Sequence, residues 1–192
     1  EIVDSSQGIT VYAKVQGEKI NYFRKSVENE FSKHMIRGRN IDRYLIKESN
    51  EYIQYGTWLW CKRDSKYFES EKIVLRQTSD KIIASYDNNK LYAIDSVHCL
   101  ILKNANFHIK YVLSIVNSAV FNFIYKSITM ESGKVFAQVK LTNLRTMPIP
   151  QISLQKQQPF IDLVDKIIEA KQHGEDTSIY ERQMDQLVYA IY

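Results

Sequence analysis

Cysteine, glycine and proline are all scarce in this sequence, and each shortage closes off a class of protein. The two cysteines, Cys61 and Cys99, belong to no C-x-x-C pair. A zinc ribbon and a disulfide framework are therefore excluded, and a reducing cytoplasm is the expected compartment. Six glycines and three prolines are too few for a collagen-like or low-complexity chain. The glycines are also too scattered to build a G-x-G-x-x-G turn or a P-loop. No G-x-S-x-G supplies an activated serine. His34, His98, His108 and His173 have neither H-x-x-x-H spacing nor a cysteine partner. Long apolar runs are missing too. The longest covers residues 111–125, but Ser114, Asn117, Ser118 and Asn122 interrupt it, and Lys110 and Lys126 bracket it. A bilayer needs about 20 apolar residues, so this run predicts a buried helix and no membrane partner. An initiator Met and a signal-peptide pattern are also lacking. The expectation is a piece of a longer protein whose chemistry lies elsewhere.

What remains is an ordinary globular composition in 192 residues, with 44% hydrophobic and 25% charged side chains. Lys and Arg number 26 against 22 Asp and Glu, a formal charge of +4. That mild excess permits a nucleic-acid partner without requiring one. The 13 Tyr and 8 Phe suit half-buried strand positions as well as a binding surface.

Periodicity divides the chain. Alternation at Ile9, Val11, Ala13 and Val15 predicts a strand over residues 8–15. Further strands are predicted over 52–60, 73–77, 81–86, 91–94 and 97–102, the last four as an antiparallel meander. Asp87-Asn88-Asn89 supplies a turn. Tyr111, Val112, Ile115, Val116, Ala119, Val120 and Phe123 then follow helical spacing. Residues 135–140 predict a short strand, and 141–144 one helical turn. Phe160, Leu163, Val164, Ile167 and Ile168 form an apolar helical stripe that Gly174 stops. A second stripe, Met184, Leu187, Val188 and Ile191, follows a Ser178/Glu181 capping box. The predicted fold is α+β: a twisted, mostly antiparallel β part, a buried helix over 111–126, and a C-terminal antiparallel helix pair. The expected division is a recognition domain over 1–150 and the helix pair over 151–192.

Asp162, Glu169 and Lys171 fit the D-x(n)-E-x-K spacing of metal-dependent nucleases. All three fall on one predicted helix, where Lys171 points almost opposite the two carboxylates. They are read as a solvated face, and no metal site is expected. Basic and amide groups gather instead at predicted turns: Arg37, Arg39 and Arg43; Lys62, Arg63 and Lys66; residues 76–81; and Lys134, Gln138 and Lys140. Arg presents two donors to guanine, Gln pairs with adenine, and Lys meets phosphate.

These segments carry a family resemblance. Glu71-Lys72-Ile73-Val74-Leu75-Arg76-Gln77-Thr78, continuing to Ile82, Ala84 and Tyr86-Asp87, resembles the "KIVLRQT…I.A.YD" signature of the TaqI-like C-terminal specificity domain. Gly38-Arg39, Ile41 and Arg43-Tyr44 resemble its "GR.I.RY" segment, and Gln7-Gly8-Ile9 its opening "QGI". Leu113, Asn117-Ser118 and Asn122-Phe123 are similar to its "YLL.LLNS…NF" helix. Gly133-Lys134, Phe136 and Gln138 are similar to "GK.F.QIK", Leu144 to Pro150 to "L..LPIP", and Val188-Tyr189-Ala190-Ile191-Tyr192 to the tail "VY.IY". After Gly8-Ile9 the family often continues with Thr-Gly, where this chain has Thr10-Val11.

The resemblance implies the target-recognition part of an adenine-N6 DNA methyltransferase or of a type II restriction enzyme fused to one. Such a piece holds double-stranded DNA and is itself catalytically silent. A methyltransferase domain N-terminal to Glu1 is implied as partner, carrying the N-P-P-Y motif and S-adenosylmethionine, with Mg²⁺ where a nuclease is fused; no cofactor is implied in the piece itself. The residues expected to meet DNA are Arg37, Arg39, Arg76, Gln77, Lys81, Lys134 and Gln138. Arg76 and Gln77 carry a second reading as scaffold, because a strand runs straight into them. Lys81 and Lys134 are read as phosphate ligands, and Asn117-Ser118 as packing or capping. Two rival readings are a protein-interaction module docking through the terminal helices and a metal-dependent nuclease.

Overall fold

The computed structural model describes residues 2–13, 22–129 and 138–192. In chain order its strands are β1 (Val3–Gln7), β2 (Thr10–Ala13), β3 (Phe23–Arg24), β4 (Ser32–Ile36), β5 (Ile41–Asp42), β6 (Leu45–Ile46), β7 (Tyr52–Gln54), β8 (Leu59–Cys61), β9 (Lys72–Arg76), β10 (Ala84–Asp87), β11 (Tyr92–Ala93) and β12 (Val97–Leu102). A 3-10 turn, Gly38–Asn40, precedes β5. The helices are α1 (Lys66–Glu69), α2 (Ile109–Asn117), α3 (Ala119–Ile128), α4 (Leu141–Leu144), α5 (Leu154–Gln172) and α6 (Ser178–Tyr189). The architecture is α+β and mostly antiparallel, as the sequence predicts.

An antiparallel sheet in the order β1-β12-β9-β10 lies between two cores. The period of two sorts its side chains. Ile73, Leu75, Ala84 and Leu100 face a cluster built with α2, α3, α5 and α6. Val74, Val97 and Cys99 face a second cluster built with the sheet β11-β4-β7-β3. Both faces of β9 are therefore covered, which explains its unbroken apolar run. Each fully buried Leu or Ile contributes about 1.5–3 kcal/mol.

The meander expectation holds for β9 with β10 and β9 with β12 and fails for β11. That strand leaves for the second sheet and pairs parallel with β4, Tyr92 opposite Met35. Of the strand expected over 8–15, Thr10–Ala13 forms β2 and residues 14–15 lie outside the described residues; a missed strand, β1, precedes it. The one expected over 52–60 is two, β7 and β8. Between them the chain turns at Gly56, where a Cβ would lie 2.3 Å from the Trp58 ring. Of the strand expected over 135–140, only residues 138–140 lie among the described residues.

The expected helix over 111–126 is also two. Ser118 leaves helical geometry at ψ 156° and caps α3, its hydroxyl accepting from the Phe121 N–H. Asn117 docks β10, an outer strand of its sheet, and Asn122 docks the connection that leads into it. Asn117 accepts from the Ala84 N–H and donates to the Ala84 carbonyl, both at 3.0 Å. Asn122 accepts from the Ile82 N–H at 2.7 Å. Asn117 and Ser118 thus pack and cap, as expected.

The terminal helices pack on α2 through Phe160, Leu163, Val164, Ile167, Met184 and Val188. Gly174, at φ 73°, ends α5 as expected. The expected Ser178/Glu181 box is corrected: Thr177 is the residue before α6, and Ser178 bonds Asp176 instead. Glu181 is thereby free to bind elsewhere. It accepts from Thr177 at 2.8 Å and Lys171 at 2.9 Å, and pairs with Arg43 at 3.0 Å. Burial pushes its carboxyl up, but these donors outweigh burial and hold it below the ordinary glutamate range.

Candidate nucleic-acid interface

The 3-10 turn is fixed by its contacts with the loop before β12. A Cβ on Gly38 would lie 2.9 Å from the Ser96 carbonyl oxygen, so only glycine allows this approach. The Gly38 N–H donates to Ser96 Oγ at 3.0 Å, and Asn40 Oδ1 accepts the Arg37 N–H at 2.9 Å. Arg37 and Arg39 are thus presented on one wall of a groove of about 490 Å³. Arg76, Thr78, Ile94 and Ser96 complete it. The groove brings three of the predicted residues together from two distant segments.

Two carboxylates organise its cations. Glu51 Oε2 accepts from Arg37 Nε at 2.8 Å and from Arg39 Nη2 at 2.9 Å, while Lys25 stands 3.5 Å from Oε1. The Arg37 hydrogen bond outweighs burial and, with the three positive charges, holds the Glu51 carboxyl below its ordinary range. Asp42 pairs with Arg76 at 2.7 Å and Lys47 at 2.6 Å. Five cations therefore face two carboxylates across this region. The surplus makes the groove attractive to an anion.

The remaining predicted residues divide. Gln77 is half-buried, and its backbone donates to the Ser96 carbonyl at 2.9 Å and accepts from the Val139 N–H at 2.7 Å. Gln138 is exposed and forms an antiparallel bridge with Thr78 at the groove wall. His98 secures that rung through Nε2, 2.7 Å from the Val139 carbonyl. Because a carbonyl only accepts, Nε2 carries the proton, and burial lowers the pKa of the ring. Lys81 is exposed in the β9–β10 connection and does not line the groove. Lys134 lies outside the described residues.

The other basic clusters serve the scaffold. Arg43 binds Glu181, Lys66 pairs with Asp4 at 3.0 Å, Arg63 Nε reaches the Gly8 carbonyl at 3.3 Å, and Lys62 stands over the Tyr55 ring. The nuclease-like trio stays apart: Asp162 accepts from Gln158, and Lys171 pairs with Glu181. Among the described residues no group of three His, Cys, Asp or Glu side chains is placed to hold a metal, and no helix is long and apolar enough to cross a membrane. Sequence reasoning missed Lys25, Phe23, Glu51 and Ser96, which join the site through contacts between distant segments.

Residues 33–149 match the TaqI-like C-terminal specificity domain family. The chain belongs to this family. The match includes every residue that lines the groove and Glu51, while Phe23 and Lys25 lie before it. A solved structure of the type IIL restriction-modification enzyme MmeI in complex with DNA is similar over 100% of this chain, at TM-score 0.69 and 8% identity. A component of a type I restriction-modification complex is similar over 99%, at TM-score 0.50 and 12% identity. This domain spans 33% and 42% of those two chains. It has the fold of restriction-modification specificity domains. No curated protein sequence matches it.

Proposed function

We propose that this specificity domain holds duplex DNA and selects its sequence for a restriction-modification enzyme. In this reading an adenine-N6 methyltransferase region with bound S-adenosylmethionine performs the chemistry. The target base is flipped into that catalytic pocket while the specificity domain keeps the duplex in register. The groove, lined by Arg37, Arg39 and Arg76 and bordered by ion pairs in which five cations meet two carboxylates, carries the reading. Phosphate neutralisation supplies most of the affinity of such surfaces. The likeness to MmeI, solved with DNA, supports it as well.

Arg39 is the groove arginine best suited to phosphate, because its side chain is 70% exposed and reaches Glu51 through one terminal nitrogen. Replacing Arg39 by Ala is expected to weaken binding of the full-length protein to every duplex alike. The slope of log affinity against log salt should fall by about one. Titration by fluorescence anisotropy at several salt concentrations checks this. Wild-type affinity and slope in the variant would place the phosphate contacts elsewhere.

A further inference from the structure

Arg37 and Arg76 line the same groove but differ in which donors remain available. Arg76 is tied at two positions: Nε donates to the Ile41 carbonyl at 2.5 Å and Nη2 to Asp42 at 2.7 Å. Arg37 is held at Nε alone, by Glu51 at 2.8 Å. Its guanidinium carbon lies 4.3 Å from the centroid of the Phe23 ring. Among the described residues no protein group accepts from Nη1 or Nη2 of Arg37. Both terminal nitrogens are therefore available on a side chain that lines the groove, while the inner edge and one face of the plane are fixed.

A guanidinium held in this way has lost much of its rotational freedom before a ligand arrives. Two parallel donors match the O6 and N7 acceptors of guanine in the major groove. Arg39 shares the same carboxylate but is far more exposed, 70% against 22% for Arg37. Its exposure suits a phosphate, and the fixed plane of Arg37 suits a base edge. We propose that Arg37 reads a guanine through its Nη1/Nη2 fork, and that Glu51 and Phe23 are positioning residues that set the plane of that fork. The proposal rests on the reading of the groove as a duplex-binding surface.

Glu51 has a second consequence. Its charge opposes phosphate in the groove, so it lowers sequence-independent binding while it orients the base-reading arginine. Neutralising it should reduce discrimination without reducing non-specific affinity. A general loss of structure would weaken both.

Selection of bound sequences from a randomised duplex pool, using the full-length protein, tests this. The wild type should require G at one position. Arg37→Lys keeps the charge and loses the fork. It should relax that position by about 5- to 150-fold while keeping non-specific affinity and the salt slope. Glu51→Gln should relax the same position with non-specific affinity unchanged or raised, and Phe23→Leu should relax it without changing the salt slope. If Glu51→Gln fails to fold, Arg37→Lys and Phe23→Leu carry the test. Should Arg39→Ala weaken all binding while Arg37→Lys leaves every preference as in wild type, this inference is overturned and the duplex reading stands. A wild-type protein that selects no sequence, with a groove insensitive to all four changes, overturns both.

Discussion

Lys72 and Asp87, the first and last polar residues of the "KIVLRQT…YD" signature, have fully buried side chains and form an ion pair across β9 and β10. Lys72 Nζ also donates to the Phe68 carbonyl at 2.5 Å. Asp87 accepts the Asn89 and Leu91 N–H groups at 2.8 and 3.1 Å, which forms the predicted turn. Removing one member of a buried pair strands the other charge in a medium that solvates it poorly. Lys72→Met should therefore cost about 3–5 kcal/mol in urea unfolding. The double change Lys72→Met/Asp87→Asn should recover part of that loss, because Asn keeps an acceptor for the turn. A loss below about 1 kcal/mol in the single variant would contradict a shared buried charge. These signature residues are legible in the sequence as a pattern, but their role is not. A lysine at a strand edge normally points to water, and only the fold shows that both faces of β9 are covered.

At the scale of elements, the apolar periods gave strand and helix types reliably and their breaks poorly. The stripe on Phe160, Leu163, Val164 and Ile167 is buried as its spacing predicts. The stripe through residues 111–124 continues smoothly across a real break, because the Ser118 cap is a conformation that periodicity does not register. The parallel pairing of β11 was illegible for a similar reason, since partner choice depends on a sheet assembled from distant segments. The Arg43–Glu181 contact joins α6 to the loop between β5 and β6. The Glu181 carboxyl is held below its ordinary value, which is 4.5. Its contribution to stability is fully present above about pH 4.5, the unfolded value, and is lost as pH falls through the lower folded value. Glu181→Gln should lower stability at pH 7 and flatten the acid limb of the stability profile. Denaturant unfolding from pH 7 to pH 3 measures both, and an acid limb parallel to wild type would contradict the assignment.

For the whole molecule, the central sheet and its two cores form a platform that carries a basic groove on the loops at one side. Charge counted along the sequence, +4 overall, understates this concentration. Three of the predicted residues, Arg37, Arg39 and Arg76, meet in the groove, and Gln138 bridges to its wall. Their acidic organisers Glu51 and Asp42 were not legible, because no spacing relates Glu51 to Lys25, Arg37 and Arg39. The distinction between an arginine tied to the scaffold and one with an open fork depends equally on geometry. In the proposed function this groove, rather than the terminal helices, receives the duplex. Amide hydrogen exchange of the full-length protein with and without duplex DNA tests it most directly. Slower exchange should concentrate at residues 37–40, 76–78 and 94–97. Protection confined to residues 154–189, with those three segments unchanged, would contradict the account.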